Sequence, residues 1–141
     1  MKNLISLLSS IILVSTFGSS FSHAGSCSIG GITEKNMRLS TYLHSQAASS
    51  FKVKCDRAYN IRFSSMNLVN SNGSSFVRNG PVKLSTFMQI DGANKSEWNV
   101  LLSPRNAFDN KFSVIVELME KPNIRTPAGT YSDEIYIELF F

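Results

Sequence analysis

From Tyr131 to Phe141 the chain alternates strictly, with Ile135, Ile137, Leu139 and Phe141 on one side and Glu134, Tyr136, Glu138 and Phe140 on the other. A period of two, in a run rich in β-branched and aromatic residues, is the signature of a half-buried strand. No polar tail follows Phe141 in the sequence. A strand of this kind offers its backbone N–H and C=O groups as an edge for strand addition, so a partner is expected there. The competing expectation is that it simply closes an ordinary sandwich.

The same period recurs upstream. Phe51, Val53 and Cys55 alternate with Lys52 and Lys54, and Tyr59, Ile61 and Phe63 alternate with Asn60 and Arg62. Val82, Leu84, Thr86, Met88 and Ile90 share one face, as do Phe112, Val114, Val116 and Leu118. A further strand is expected near Met37 to Leu43, whereas Ala47-Ala48-Ser49-Ser50 reads as a connection. Trp98 to Leu102 is a short apolar run. Turn chemistry separates these runs at Asn70 to Ser75, Asn79-Gly80-Pro81, Asp91-Gly92, Ser103 to Asn106 and Pro122 to Gly129. No ten-residue stretch has helical periodicity. The expectation is an all-β, immunoglobulin-like β-sandwich of six to seven strands.

The N-terminus has the composition of a secretory signal peptide. Lys2 supplies the positive start, Leu4 to Phe17 the apolar stretch, and Ser22-His23-Ala24 a cleavage sequence of the small-x-small type. The apolar stretch falls short of the roughly 20 residues of a membrane span. Removing those 24 of the 141 residues leaves 117, from Gly25, which is one domain's worth of chain. The only cysteines, Cys27 and Cys55, both lie in the exported part, where the compartment is oxidising. A disulfide between them is expected, since a zinc site would need ligands that two cysteines without clustered histidines do not supply.

Loss of Lys2 leaves 13 Lys and Arg against 10 Asp and Glu. The basic residues are scattered along the chain, without the dense stripe of a nucleic-acid binder. The exported part has a single histidine, His44, and no HExxH, GxSxG or phosphate-cradling glycine loop. A catalytic site needs a nucleophile, a base and an orienting group, so no enzyme, metal or cofactor is expected. Asn72-Gly73-Ser74 and Asn94-Lys95-Ser96 match the glycosylation acceptor pattern, but turns favour these residue types for backbone reasons.

Two segments, Phe51-Lys52-Val53-Lys54-Cys55-Asp56 and Ala128-Gly129-Thr130-Tyr131-Ser132-Asp133-Glu134-Ile135, resemble the spore coat protein U domain family, which includes the Csu-type (archaic) chaperone–usher pilus subunits. The resemblance implies a sandwich that lacks its last strand and is completed by a donor strand. A periplasmic chaperone would fill the open groove first, and a neighbouring subunit's N-terminal extension would replace it after passage through an outer-membrane usher. On that basis Ile135, Ile137, Leu139 and Phe141 would form the groove edge, and the carboxylate of Phe141 would anchor to a basic chaperone residue. The implied role is structural or adhesive, in a fibre at the cell surface.

One departure from that pattern stands at the N-terminus. Only Gly25 and Ser26 precede Cys27 after the expected cleavage, too few for a donor strand of about ten residues. The chain would accept a strand without supplying one, as a fibre-end or tip subunit does. The alternatives are a self-complete secreted sandwich that binds a ligand or joins a coat, its missing strand coming from Ile29 to Leu39, and a small secreted hydrolase.

Overall fold

The computed structural model describes residues 5–15, 25–106 and 109–141. Lys2 and the expected cleavage sequence Ser22-His23-Ala24 lie outside the described residues. Nine strands follow in chain order: β1 (Ile5–Ser15), β2 (Cys27–Gly30), β3 (Asn36–Leu39), β4 (Gln46–Cys55), β5 (Asn60–Ser65), β6 (Ser74–Asn79), β7 (Val82–Asp91), β8 (Asp109–Leu118) and β9 (Gly129–Phe140). No helix among the described residues is long and apolar enough to cross a membrane.

The hydrogen-bonded path runs β2-β4-β8-β7-β6-β9-β1-β3, with β5 attached to β9. It curls into an immunoglobulin-like sandwich, so that the region before β3 returns to β4, where the Thr33 N–H donates to Ser50 O at 2.9 Å. Each long strand buries alternate residues, which is the pleat expressed as burial. Phe51 and Phe112, neighbours across β4 and β8, stack with centroids 5.6 Å apart, and Phe63 of β5 meets Phe112 at 6.0 Å and Trp98 at 6.0 Å. These rings join the two halves of the core. Trp98 is fully buried and its indole N–H donates to Met88 O at 3.2 Å.

The expected faces of β4, β5, β7 and β8 are those observed, with Lys52 and Lys54 exposed between the buried Phe51, Val53 and Cys55. Ala47 to Ser50, expected as a connection, belongs instead to β4. Small residues have weak strand preference of their own, and here pairing with β8 overrides it. Gln46 faces Glu117 and Ser50 faces Ser113 in register, with the two serine hydroxyls 2.8 Å apart. The strand expected to reach Leu43 stops at Leu39. Trp98 to Leu102 is not a strand, although Leu102 makes a single bridge to Ile61.

The strand number exceeds the expected six to seven because of β1 and the four-residue β2. β2 pairs with β4 so that Cys27 faces Cys55, and the two form a disulfide. β1 falls within the apolar stretch of the expected leader.

Candidate strand-acceptor groove

The start of β9 is fixed against the loop before it. Gly129 has φ 151°, in the region that favours glycine, and a Cβ there would collide with the Asn79 side-chain amide. Two residues on, the Tyr131 hydroxyl donates to Pro127 O at 2.8 Å, tying the strand's start to the preceding loop as a tyrosine corner does.

One edge of β9 is shared by two strands. Arg78 of β6 faces Ser132, and β5 runs antiparallel from Ser65 opposite Ile135 to Asn60 opposite Phe140. On the outer side Arg62 Nε donates to Glu138 Oε2 at 3.0 Å, and the guanidinium lies over the Phe140 ring at 5.1 Å. The other edge is taken entirely by β1, which runs parallel to it from Ile5 opposite Gly129 to Ser15 opposite Leu139. β1 in turn pairs antiparallel with β3, from Leu7 opposite Leu39 to Ser10 opposite Asn36.

β1 fills the slot between β9 and β3, flanked on one side by Tyr131, Asp133, Ile135, Ile137 and Leu139 of β9, all buried, and on the other by the buried Met37 and Leu39. Leu7 and Ser9 are buried in it, and Ile11 packs against the core, whereas Ile12 on the other face is 38% exposed. Of the residues expected at a groove edge, Ile135, Ile137 and Leu139 lie buried together on the inward face of β9. Phe141 does not join them: it follows the end of β9 and is 39% exposed.

Asp133 escaped the reading of the sequence. It interrupts the apolar face of β9 between Tyr131 and Ile135, and that interruption was the available signal. Its carboxylate accepts from the Asn67 N–H at 3.0 Å, the Ser75 hydroxyl at 3.1 Å and the Glu134 N–H at 2.8 Å. Asn67 is itself buried and its amide donates to Phe76 O at 3.0 Å and Ser132 O at 3.1 Å. Ser65 lies 3.2 Å from the Ser75 hydroxyl and completes the cluster.

Burial raises the Asp133 carboxyl above the ordinary carboxylate range, and hydrogen bonds from Ser65, Asn67, Ser75 and Glu134 pull back against it. The folded state therefore holds this proton more tightly than the unfolded chain. Its contribution to stability is present in full below the unfolded value and is lost as pH rises through the folded one. Relative to Asp133→Asn, the native chain is expected to gain stability as pH falls across the upper carboxylate range, read as urea midpoints of both proteins at matched pH. A parallel pH dependence in the two would refute this assignment.

Elsewhere, His44 is exposed, with Nδ1 3.0 Å from Glu117 Oε1. Among the described residues no group of three or more His, Cys, Asp or Glu side chains gathers as a metal site would require.

No family model matches the chain, and no curated protein matches it in sequence. Its fold is similar to that of the P pilus rod subunit PapA, with a TM-score of 0.50 over 89% of this chain and 97% of that one, at 12% identity.

Proposed function

We propose that this chain is a structural or adhesive subunit of a chaperone–usher surface pilus, exported and assembled by donation of a strand into the groove along β9. One observation carries the reading: the segment that fills the groove, Ile5–Ser15, falls within the stretch that has the composition of a cleavable leader. Export with cleavage after Ala24 would remove that strand and leave the edge of β9 from Gly129 to Leu139 without its ladder. An unpaired strand edge above an apolar floor is the physical basis of strand addition. Main-chain hydrogen bonds supply the attraction, and alternate side chains entering the groove supply specificity.

The partners that follow are a periplasmic chaperone, an outer-membrane usher and neighbouring subunits. The likeness of two segments to the spore coat protein U family favours the archaic class. Cys27 follows the expected cleavage point so closely that no donor strand remains, which suits a subunit at a fibre end or tip.

A second reading is favoured by the seating of β1 itself. If residues 5–15 are retained after export, the chain supplies its own strand and is a self-complete secreted domain. The exported protein should be purified from the periplasm and its mass measured, with and without a co-expressed strand-donating chaperone. A chain starting at Gly25, recovered in soluble form only with the chaperone, supports the pilus reading. A soluble chain that keeps residues 5–15 overturns it in favour of the self-complete domain.

A further inference from the structure

β1 carries apolar residues on both faces, and its seat between β9 and β3 covers one of them. On the inward face Leu7 is 2% exposed and Ile11 packs against the core, whereas on the outward face Leu8 is half-buried and Ile12 is 38% exposed. The strand is held by backbone ladders on two sides, over eleven register positions with β9 and four with β3, and the Ile11 N–H donates to Lys35 O at 3.1 Å. The same residues make up most of the apolar stretch of the expected leader, and the sequence places Lys2 ahead of them.

We propose that in the uncleaved chain the groove and a lipid surface compete for residues 5–15, so that each excludes the other. With β1 seated, the edge of β9 is closed to any outside strand and the leader is withheld from lipid. A lipid surface that takes the leader opens that edge. The inference rests on the export reading above and names what governs the groove while the leader is still attached.

The exclusion follows from where the backbone bonds go. Seated, β1 spends its N–H and C=O groups on β9 and β3. In the apolar part of a lipid layer a segment must satisfy those groups within itself, as a helix does, so it cannot keep either ladder. The apolar terms oppose one another as well. Lipid would cover Leu8 and Ile12 along with Leu7 and Ile11, and Lys2 would add attraction to anionic headgroups, whereas seating covers the edge of β9 from Gly129 to Leu139. Two states that share one segment are linked: whatever binds one state depletes the other, and the apparent affinity for lipid falls with the fraction of chains whose leader is seated.

The test titrates the folded full-length chain with vesicles of phosphatidylethanolamine and phosphatidylglycerol, and reads vesicle binding and amide exchange along β9 on the same samples. Protection from Ile135 to Leu139 should fall in step with the bound fraction. A second chain carries Ser10→Cys with Asn36→Cys, facing positions of β1 and β3 that lie on the outer side, where a disulfide can hold the strand in its seat. This locked chain should need at least about tenfold more lipid for half-binding and should keep β9 protected. A chain that binds only when diluted from urea directly onto vesicles, with β9 then open, supports the same exclusion with the groove as the stronger seat. Vesicle-bound native chain with β9 still protected, or a locked chain that binds as the native one does, overturns the inference and leaves the acceptor reading standing. If neither the folded chain nor the chain diluted from urea binds vesicles, the leader reading fails, and this inference with it. The native chain alone decides between these outcomes, so the result does not depend on whether the locked variant folds.

Discussion

A chain lacking residues 1–24 is expected not to hold its sandwich when expressed alone, and to regain it when the missing strand is supplied in trans. Removing β1 strips hydrogen bonds from one edge of β9 over eleven register positions. It also removes the only strand with which β3 pairs among the described residues. Tyr131, Ile135, Ile137, Leu139, Met37 and Leu39, all now buried, would become partly open to water. Full exposure of one large apolar side chain costs about 1.5–3 kcal/mol. Even half of that over six residues approaches the whole stability of a small domain, about 5–15 kcal/mol. The expected result is a chain that aggregates or shows no cooperative unfolding. Addition of a peptide with the Ile5–Ser15 sequence should restore a sharp transition and amide protection along β9. A monomeric 25–141 chain that melts cooperatively, with Ile135 to Leu139 protected and no peptide present, would mean that the groove needs no strand.

The second large effect is expected from the disulfide. Cys27 and Cys55 face each other where β2 pairs with β4, and the ladder is extended by the Asp56 N–H to Ser26 O at 3.0 Å and the Ser26 N–H to Asp56 Oδ1 at 2.9 Å. β2 has only four residues and no ladder partner but β4 among the described residues, so few backbone bonds hold it. The bond spans 28 residues of sequence, for which the chain-entropy treatment gives about 3.5 kcal/mol. Cys27→Ala with Cys55→Ala should therefore lower the urea midpoint of the full-length chain by about 2 M, given a slope of about 1–3 kcal/mol per M. Reductant should shift the native protein by a similar amount and leave the double variant where it is. A shift below about 0.3 M would place the stabilisation elsewhere. Because this term acts mainly on the unfolded chain, the pairing of β1 with β9 should survive the double substitution.

Much of this architecture is legible in the sequence because a strand with one buried face must alternate. β4, β7, β8 and β9 each write their inward residues at every second position, and the turn clusters between them use glycine, asparagine and proline for backbone reasons. Gly73, with φ 104° and no room for a Cβ beside Met88 O, is one such case. The pairing of the two cysteines followed from their number and from the oxidising compartment expected of an exported chain. What alternation does not encode is the neighbour of each strand. Ala47 to Ser50 has no pattern strong enough to announce a strand, and only the partner β8 makes it one. The apolar run of the expected leader carries apolar residues on both faces, so its fit between β9 and β3 is invisible until both walls exist.

The groove divides along the same line. That Ile135, Ile137 and Leu139 share an apolar face was determined by their spacing in the chain alone. That this face flanks a slot occupied by β1, which pairs from Gly129 to Leu139, was decided by the tertiary path, which leaves β9 with β5 and β6 on one side only. The burial of Asp133 belongs wholly to the tertiary structure. Its donors come from three places in the chain, Asn67 after β5, Ser75 in β6 and Glu134 in β9, and a buried carboxyl is tolerable only where folding brings such donors together.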